Sequence, residues 1–370
     1  MTSTVFFEAI QAHIEQALPF VVYRKPHELE LQGFLQQHLE IVTTERYTET
    51  GFVFAPFRSN EPTVLFPEND CIRLQTIYDV NENIATSSIK NEATSFQKEQ
   101  HVALVEKGIE AIQSGQFEKV VLSRQAQVKL KEGKPLEIFK NLLNRYDSAF
   151  VYIWFHPKVG LWLGATPETL LKVENTRFST MALAGTQPYQ DSMAVTWGKK
   201  ELEEQQFVTQ YIAETLKPHV SSLNIAPVQT VKAGNLLHLK THISGNLEQE
   251  SLKDILQALH PTPAVCGLPT MAAQTFIESH EGYDRLYYTG FLGELNCEQT
   301  SIRKANKRNV ENHAYSRPKT VSNIFVNLRC MQLLDDMATL YIGGGITKDS
   351  VPEMEWEETV HKAMVMKNCL

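Results

Sequence analysis

The chain has 370 residues, 42% hydrophobic and 21% charged, with a formal net charge of −8, values that suit a globular protein with a sizeable core. The acidic balance argues against a general nucleic-acid binder, which needs a basic footprint on phosphates, and gives no support to a membrane-surface role. Five scattered cysteines without CxxC spacing indicate neither a zinc site nor a disulfide framework, the N-terminus lacks a basic leader, and no apolar run approaches the ~20 residues of a membrane span, so the expectation is a cytoplasmic protein.

Along the chain, helical spacing of apolar residues predicts a helix over Val5 to Ala17, then an extended piece at Val21 to Tyr23 and strands at Gly51 to Phe57 and Thr63 to Phe66. The polar stretch Asn81 to Glu99 reads as a loop and His101 to Gln113 as an amphipathic helix. Strands follow at Lys119 to Arg124, Phe150 to Phe155, Gly160 to Leu163, Thr169 to Val173 and Met181 to Leu183, with a long helix from Lys199 to Lys217. Groups of strands separated by long helices predict an α+β fold, with antiparallel sheet pairs covered by helices and no linker dividing the chain. Gly343-Gly344-Gly345 is expected to follow a strand at Thr339 to Ile342, where glycines favour close backbone approach.

The strand FEKVVLSR (117–124) carries the most chemistry. Period-two alternation puts Lys119, Val121 and Ser123 on one face. A lysine turned toward a partly buried cleft loses hydration, which favours its neutral, proton-accepting form; a lysine at a strand end can equally snorkel to water. Glu201 and Glu204 share a helix face, and Glu355, Glu358 and Lys362 line up on another. Each is an ordinary solvated face unless the helices converge, in which case one carboxylate from each gives the sparse oxygen coordination that Mg²⁺ uses with an anionic substrate. Glu168, in a tight turn after Gly164, is either a surface glutamate or, if buried, a protonated general acid. Arg329, read as part of a mostly apolar strand, requires a carboxylate-like partner. His238 stands among leucines and reads first as a hydrogen-bonded core residue. His260 to Val265, with two prolines, reads as a rigid connector.

Taken in order, FEKVVLSR (117–124), GATPETLL (164–171), ALAGT (182–186), KELEEQQFV (200–208), LHPTPAVCGLP (259–269), DRLYYTGFLGELN (284–296) and GGGITKDSVPEMEWEETVHKAM (343–364) resemble the chorismate-utilising enzymes, most closely their isochorismate synthase branch. The resemblance runs from about Gln113 to the C-terminus and implies a single large domain of two stacked, mainly antiparallel sheets flanked by helices. Residues 1–100 would be a weakly matched part of that fold and 101–370 its catalytic core, with an insertion at 297–323. It implies Lys119 as the base that activates water, Glu168 as the acid that protonates the departing hydroxyl, and Glu204 and Glu358 as Mg²⁺ ligands. Gly185, Thr186, His238, Arg329, Gly343, Gly345 and Lys362 would contact substrate, with Ala184, Glu201 and Glu355 in support. The implied reaction is conversion of chorismate to isochorismate, for menaquinone or a siderophore, with onward elimination to salicylate as the alternative. Amine-transferring relatives carry glutamine at the Lys119 position, and one class has a nucleophilic lysine where Ala184 stands. The resemblance therefore implies a monomer without a glutaminase subunit or redox cofactor. One departure is evident: the family's KDxxEH reads Lys200-Glu201-Leu202-Glu203-Glu204-Gln205 here, which leaves the histidine's supporting role open.

Overall fold

The computed structural model describes residues 1–80, 94–130, 134–233, 236–247, 252–299 and 319–370. Within them the chain forms one sheet of nine strands and one of ten, antiparallel at every pairing. The first sheet runs Gly267–Leu268, Lys119–Lys129, Met337–Ile346, Cys330–Leu334, Gly160–Thr166, Phe150–His156, Phe20–Arg24, Glu30–Gln36 and Cys71–Ile77. The second runs Val220–Ile225, Leu236–Leu247, Arg177–Pro188, Thr169–Glu174, Lys319–Val326, Phe291–Gln299, Gly51–Ala55, Thr63–Pro67 and Val42–Thr44, with Gln229–Ala233 paired onto Leu236–Leu247.

The strand Phe150–His156 shows why the sequence stacks these sheets. It is apolar without a break, because both of its faces are covered. Phe150, Tyr152 and Trp154 point into an aromatic layer between the sheets, where Phe150 stacks on Phe325 (ring centroids 4.3 Å) and Trp154 meets Phe54 (4.8 Å). Val151 and Ile153 point the other way, onto helices Ser3–Glu15, Pro135–Arg145 and Pro352–Lys367. On the far side of the second sheet, helices Lys199–Leu216 and Leu252–Leu259 bury Val208, Ile212, Ile255 and Leu256. Each fully buried side chain of this size contributes about 1.5–3 kcal/mol by leaving water. The α+β reading and the stacked antiparallel sheets are thus present, helices outermost and aromatics between.

Several boundaries differ from the sequence reading. The helix expected from His101 begins at Ser95, because Thr94 and Gln97 close a reciprocal capping box; residues 81–93 of the expected loop lie outside the described residues. The strand ending in the three glycines runs Met337–Ile346, so Gly343, Gly344 and Gly345 lie inside it, paired with Ser123, Leu122 and Val121. Arg329 is not in a strand: it occupies the turn between Lys319–Val326 and Cys330–Leu334, with φ of 48°. Of the expected insertion at 297–323, Cys297–Gln299 and Lys319–Val321 are strand residues paired with each other and Asn323 pairs with Glu294, with Cys297 and Val321 buried, so both ends belong to the sheet. The basic residues between them lie outside the described residues.

Candidate active site

Two neighbouring crossovers build the centre of the site. The chain leaves the first sheet at Thr166 and enters the second at Thr169, and Pro167-Glu168 is the link. It returns from the second sheet at Val326 to the first at Cys330, and Asn327-Leu328-Arg329 is that link. The links are tied at both ends, Val326 N–H donating to the Glu168 carbonyl at 3.0 Å and Ala165 N–H to the Arg329 carbonyl at 3.0 Å. A strand that changes sheet must open the sandwich at that point, and Glu168 and Arg329 stand where it opens. Glu168 is 5% exposed, and among the described residues its carboxyl has no hydrogen-bond donor. Burial pushes its pKa up to about 7, against the opposing pull of the Lys119 and Arg329 charges. The Arg329 guanidinium has no ion-pair partner among the described residues.

Lys119 begins the strand Lys119–Lys129 and is 9% exposed. Its Nζ lies 2.5 Å from Glu204 Oε1, so the strand-end lysine turns inward instead of snorkelling. Glu204 comes from helix Lys199–Leu216, which packs on the other sheet; the pair therefore joins the two layers across the opening. Gly345 lies beneath it. A Cβ there would stand 3.1 Å from Lys119 Cε and 3.5 Å from Glu204 Oε1, so glycine keeps the floor clear. Helix Pro352–Lys367 supplies Glu355, Glu358 and Lys362; Lys362 Nζ pairs with Glu358 at 2.6 Å and donates to the Gly343 carbonyl at 3.0 Å.

The wall opposite is a β-bulge. Between Arg177–Pro188 and Leu236–Leu247 the register passes from Ala184↔Leu239 to Gln187↔Leu237, so Gly185 and Thr186 share one extra residue's slack. Gly185 takes φ of 66°, which glycine adopts without strain. Its carbonyl meets His238 Nδ1 at 3.0 Å, with Thr186 Oγ1 at 3.4 Å from the same nitrogen. Burial, reinforced by the Arg329 charge, lowers the His238 pKa to about 4, so the ring is neutral. With Nδ1–H donating to a carbonyl, Nε2 is left as an acceptor, and it is buried without a partner. The histidine among leucines is thus a hydrogen-bonded residue of the wall as well as a cavity residue.

All these groups face one cavity of about 230 Å³, lined by Lys119, Glu168, Ala184, Gly185, Thr186, Glu201, Glu204, His238, Arg329, Gly343, Gly345, Glu355, Glu358 and Lys362 together with further apolar and aromatic residues. Every site residue anticipated from the sequence is there. Those missed include Tyr288 and Tyr341, whose rings stack at 5.4 Å, and Leu183 and Leu328, for which an apolar pattern gives no signal separate from core. Gln205, where the family pattern has histidine, is buried below the helix and donates to the Ala182 carbonyl at 3.0 Å and Thr241 Oγ1 at 2.9 Å. It braces the helix that carries Glu204 against two strands of the wall. Among the described residues no three His, Cys, Asp or Glu side chains form a ready-made metal cage. Besides Glu168, the four helix carboxylates on this cavity, Glu201, Glu204, Glu355 and Glu358, fit Mg²⁺, which is held by one or two carboxylates and completed by water and substrate. Two of them, Glu204 and Glu358, already hold a cation in the form of a lysine ammonium.

Two family models, each described as chorismate binding enzyme, match residues 65–305 and 314–368, and the first alone covers more than half of the chain. The chain belongs to the chorismate-binding enzyme family. Among curated relatives it is 27% identical over 325 residues to isochorismate synthase MenF of Pasteurella multocida, covering 82% of this chain and 70% of that one. It is 29% identical over 295 residues to the salicylate biosynthesis isochorismate synthase of Pseudomonas aeruginosa, covering 77% of this chain and 57% of the relative. The chain thus spans a little over half of that second relative. A solved structure described as a putative 2,3-dihydroxybenzoate-specific isochorismate synthase, DhbC from Bacillus anthracis, superposes with a TM-score of 0.74 over 97% of this chain and 98% of that one, at 21% identity. At that identity the likeness establishes a shared fold, the two-sheet sandwich of chorismate-binding enzymes. Among the described residues no helix is long and apolar enough to cross a membrane.

Proposed function

We propose that the protein is an isochorismate synthase, converting chorismate to isochorismate with Mg²⁺ held by Glu204 and Glu358 and supported by Glu201 and Glu355. The observation that carries this reading is the pairing, in one cavity, of a lysine with a carboxyl group kept near half-protonation at neutral pH. Such a pair suits one substrate that must gain a hydroxyl on one carbon and lose another elsewhere. Arg329 and Lys362, with the backbone of Gly185, Thr186, Gly343 and Gly345, hold the substrate's carboxylates and ring, and His238 Nε2 accepts from a hydroxyl.

In this reading Lys119 gives up Glu204 to the metal and releases its ammonium proton to solvent; as the neutral amine it then takes a proton from a water molecule, and the water oxygen bonds to ring C2. The two ring double bonds each move by one position, the C4–O bond breaks, and Glu168 delivers its proton to the departing hydroxyl, which leaves as water. Mg²⁺ held by Glu204 and Glu358 would supply positive charge that offsets the substrate's negative charge as electron density shifts. Buried in the crossover, Glu168 is uncharged often enough near neutral pH to act as the acid, which a solvated glutamate at the usual carboxylate value is not. The lysine at 119 and the alanine at 184 favour water addition over amine transfer or a covalent route. No glutaminase is then required, and the reading is of a monomer acting on chorismate alone. Following the likeness to MenF, we assign the product to menaquinone supply; loss of menaquinone on gene deletion tests that part.

Incubating the protein with chorismate and Mg²⁺ and resolving the products tests the activity. Isochorismate without pyruvate is the expected result. Pyruvate in step with salicylate would assign the onward elimination, and an aminated product formed with ammonia would assign the amine-transferring branch.

A further inference from the structure

Buried arginines in this molecule find partners in different ways. Arg285 is clasped by Glu281, and Arg24 donates to the carbonyls of Leu143 and Tyr146. Arg124 is 8% exposed and has much less. Its Nε donates to Thr359 Oγ1 at 2.7 Å, and its guanidinium stacks 4.3 Å from the Trp356 ring centroid. Among the described residues no carboxylate pairs with it and its two terminal nitrogens have no acceptor. Burial accordingly pulls its pKa down to about 10. A mostly buried charge without an opposite charge is costly, and the planar edge left facing the cavity is the one that binds carboxylate or phosphate through two parallel hydrogen bonds.

That guanidinium lines a second cavity, of about 600 Å³, between helix Ser95–Gln113, the outer edge of strand Lys119–Lys129 and the turn after helix Thr270–His280. Lys107 adds a cation, and Gln97, Gln100 and Gln127 add neutral amides. The acid in the wall, Glu281, is already committed, with Oε1 accepting from Ser123 N–H and Oγ and from Arg285, and Oε2 from Arg285 Nε. Beside Arg124, His101 is buried with Nδ1 unpartnered. Helix Pro352–Lys367 touches both regions: Trp356 and Thr359 contact Arg124, while Glu358 and Lys362 line the Lys119 cavity.

We propose that this second cavity is an anion site, in which Arg124, assisted by Lys107 and the surrounding amides, takes a small carboxylate or phosphate ligand independently of the Lys119 cavity. The test titrates the full chain, at ionic strength fixed with NaCl, with inorganic phosphate and separately with malonate, read by calorimetry and by tryptophan fluorescence. An Arg329→Gln protein serves beside the parent to remove anion binding in the Lys119 cavity. Saturable binding of one or both anions is expected in parent and Arg329→Gln alike, weakened about tenfold or more in Arg124→Gln and by a smaller factor in Lys107→Gln. Which of the two anions saturates identifies the ligand class. The proposal is overturned if neither anion binds the parent saturably, if Arg124→Gln binds as the parent does, or if binding is lost in Arg329→Gln and kept in Arg124→Gln. Should Arg124→Gln not fold, Arg124→Lys and Lys107→Gln decide: parental affinity in both overturns it, and weakened affinity in a folded Arg124→Lys supports it.

Discussion

Lys25 with Glu294 and Lys119 with Glu204 are both ammonium–carboxylate pairs built on a buried lysine, at 3.0 and 2.5 Å, the first wholly buried and the second part-buried. Around the first, every group is spoken for. Tyr23 donates to Glu294 Oε1 at 2.7 Å and Asn323 to Oε2 at 2.8 Å, and the cluster ties a strand of one sheet to two strands of the other within the aromatic layer. Around the second lies a cavity that also holds, among the described residues, a carboxyl without a donor, an arginine without an acid and an imidazole nitrogen without a partner. The contrast locates function in incomplete satisfaction beside open space, since a buried charge as such is common to both. One cluster is an inter-sheet fastening and the other is waiting for a ligand.

The largest effects expected from breaking this contrast are catalytic. Lys119→Gln and Glu168→Gln should each lower chorismate turnover by about 10²- to 10⁴-fold, the usual contribution of a general acid or base, with the melting transition retained. Glu204→Gln and Glu358→Gln should abolish Mg²⁺-dependent turnover in a folded protein; near-parental rates at low Mg²⁺ would remove the two-helix metal site. At the other pair the pattern should reverse. Glu294→Gln leaves Lys25 buried without its partner and should cost about 3–5 kcal/mol of stability by denaturant titration, while the folded fraction keeps its turnover within a few-fold. A stable but inactive Glu294→Gln protein would show that the contrast is drawn wrongly.

A smaller effect distinguishes the Lys119 cavity by pH. The Glu168 carboxyl titrates at about 7 when folded, above its ordinary 4.5, so the folded state favours the protonated form. The stability this confers is complete below about pH 4.5 and is lost as pH rises through 7, an amount of up to about 3 kcal/mol. Glu168→Gln should therefore gain on the parent in melting temperature between pH 5 and 8, and the forward rate of the parent should fall as pH rises past 7. Equal pH dependence of stability in both proteins would mean that Glu168 is not held protonated by the fold.

How legible the site was in the sequence follows from the geometry of each part. Lys119, Glu204 and Glu358 sit on regular elements, where period-two or period-3.6 spacing assigns a face, and their motifs carry the rest. Arg329 was misplaced into a strand because an apolar neighbourhood reads alike on either side of a sheet change, and local pattern does not mark a crossover. The neighbouring crossover buries Glu168, which as a turn glutamate reads equally well as exposed. The bulge at Gly185 is a register shift between strands some 50 residues apart, set by pairing partners that no local window contains. The strands that build the aromatic layer read as strands, but neither the layer nor the Lys25–Glu294 fastening inside it gave a sign, since single charges 269 positions apart carry no spacing signal.

The central claim, that Lys119 activates an external water molecule while Glu168 releases the C4 hydroxyl, is tested most directly by turnover of chorismate with Mg²⁺ in ¹⁸O-labelled water, following the product by mass spectrometry. The account predicts isochorismate carrying one ¹⁸O, at C2, with formation reduced at least about 100-fold in Lys119→Gln. Unlabelled isochorismate, or labelled product formed by Lys119→Gln within a few-fold of the parent rate, would contradict it.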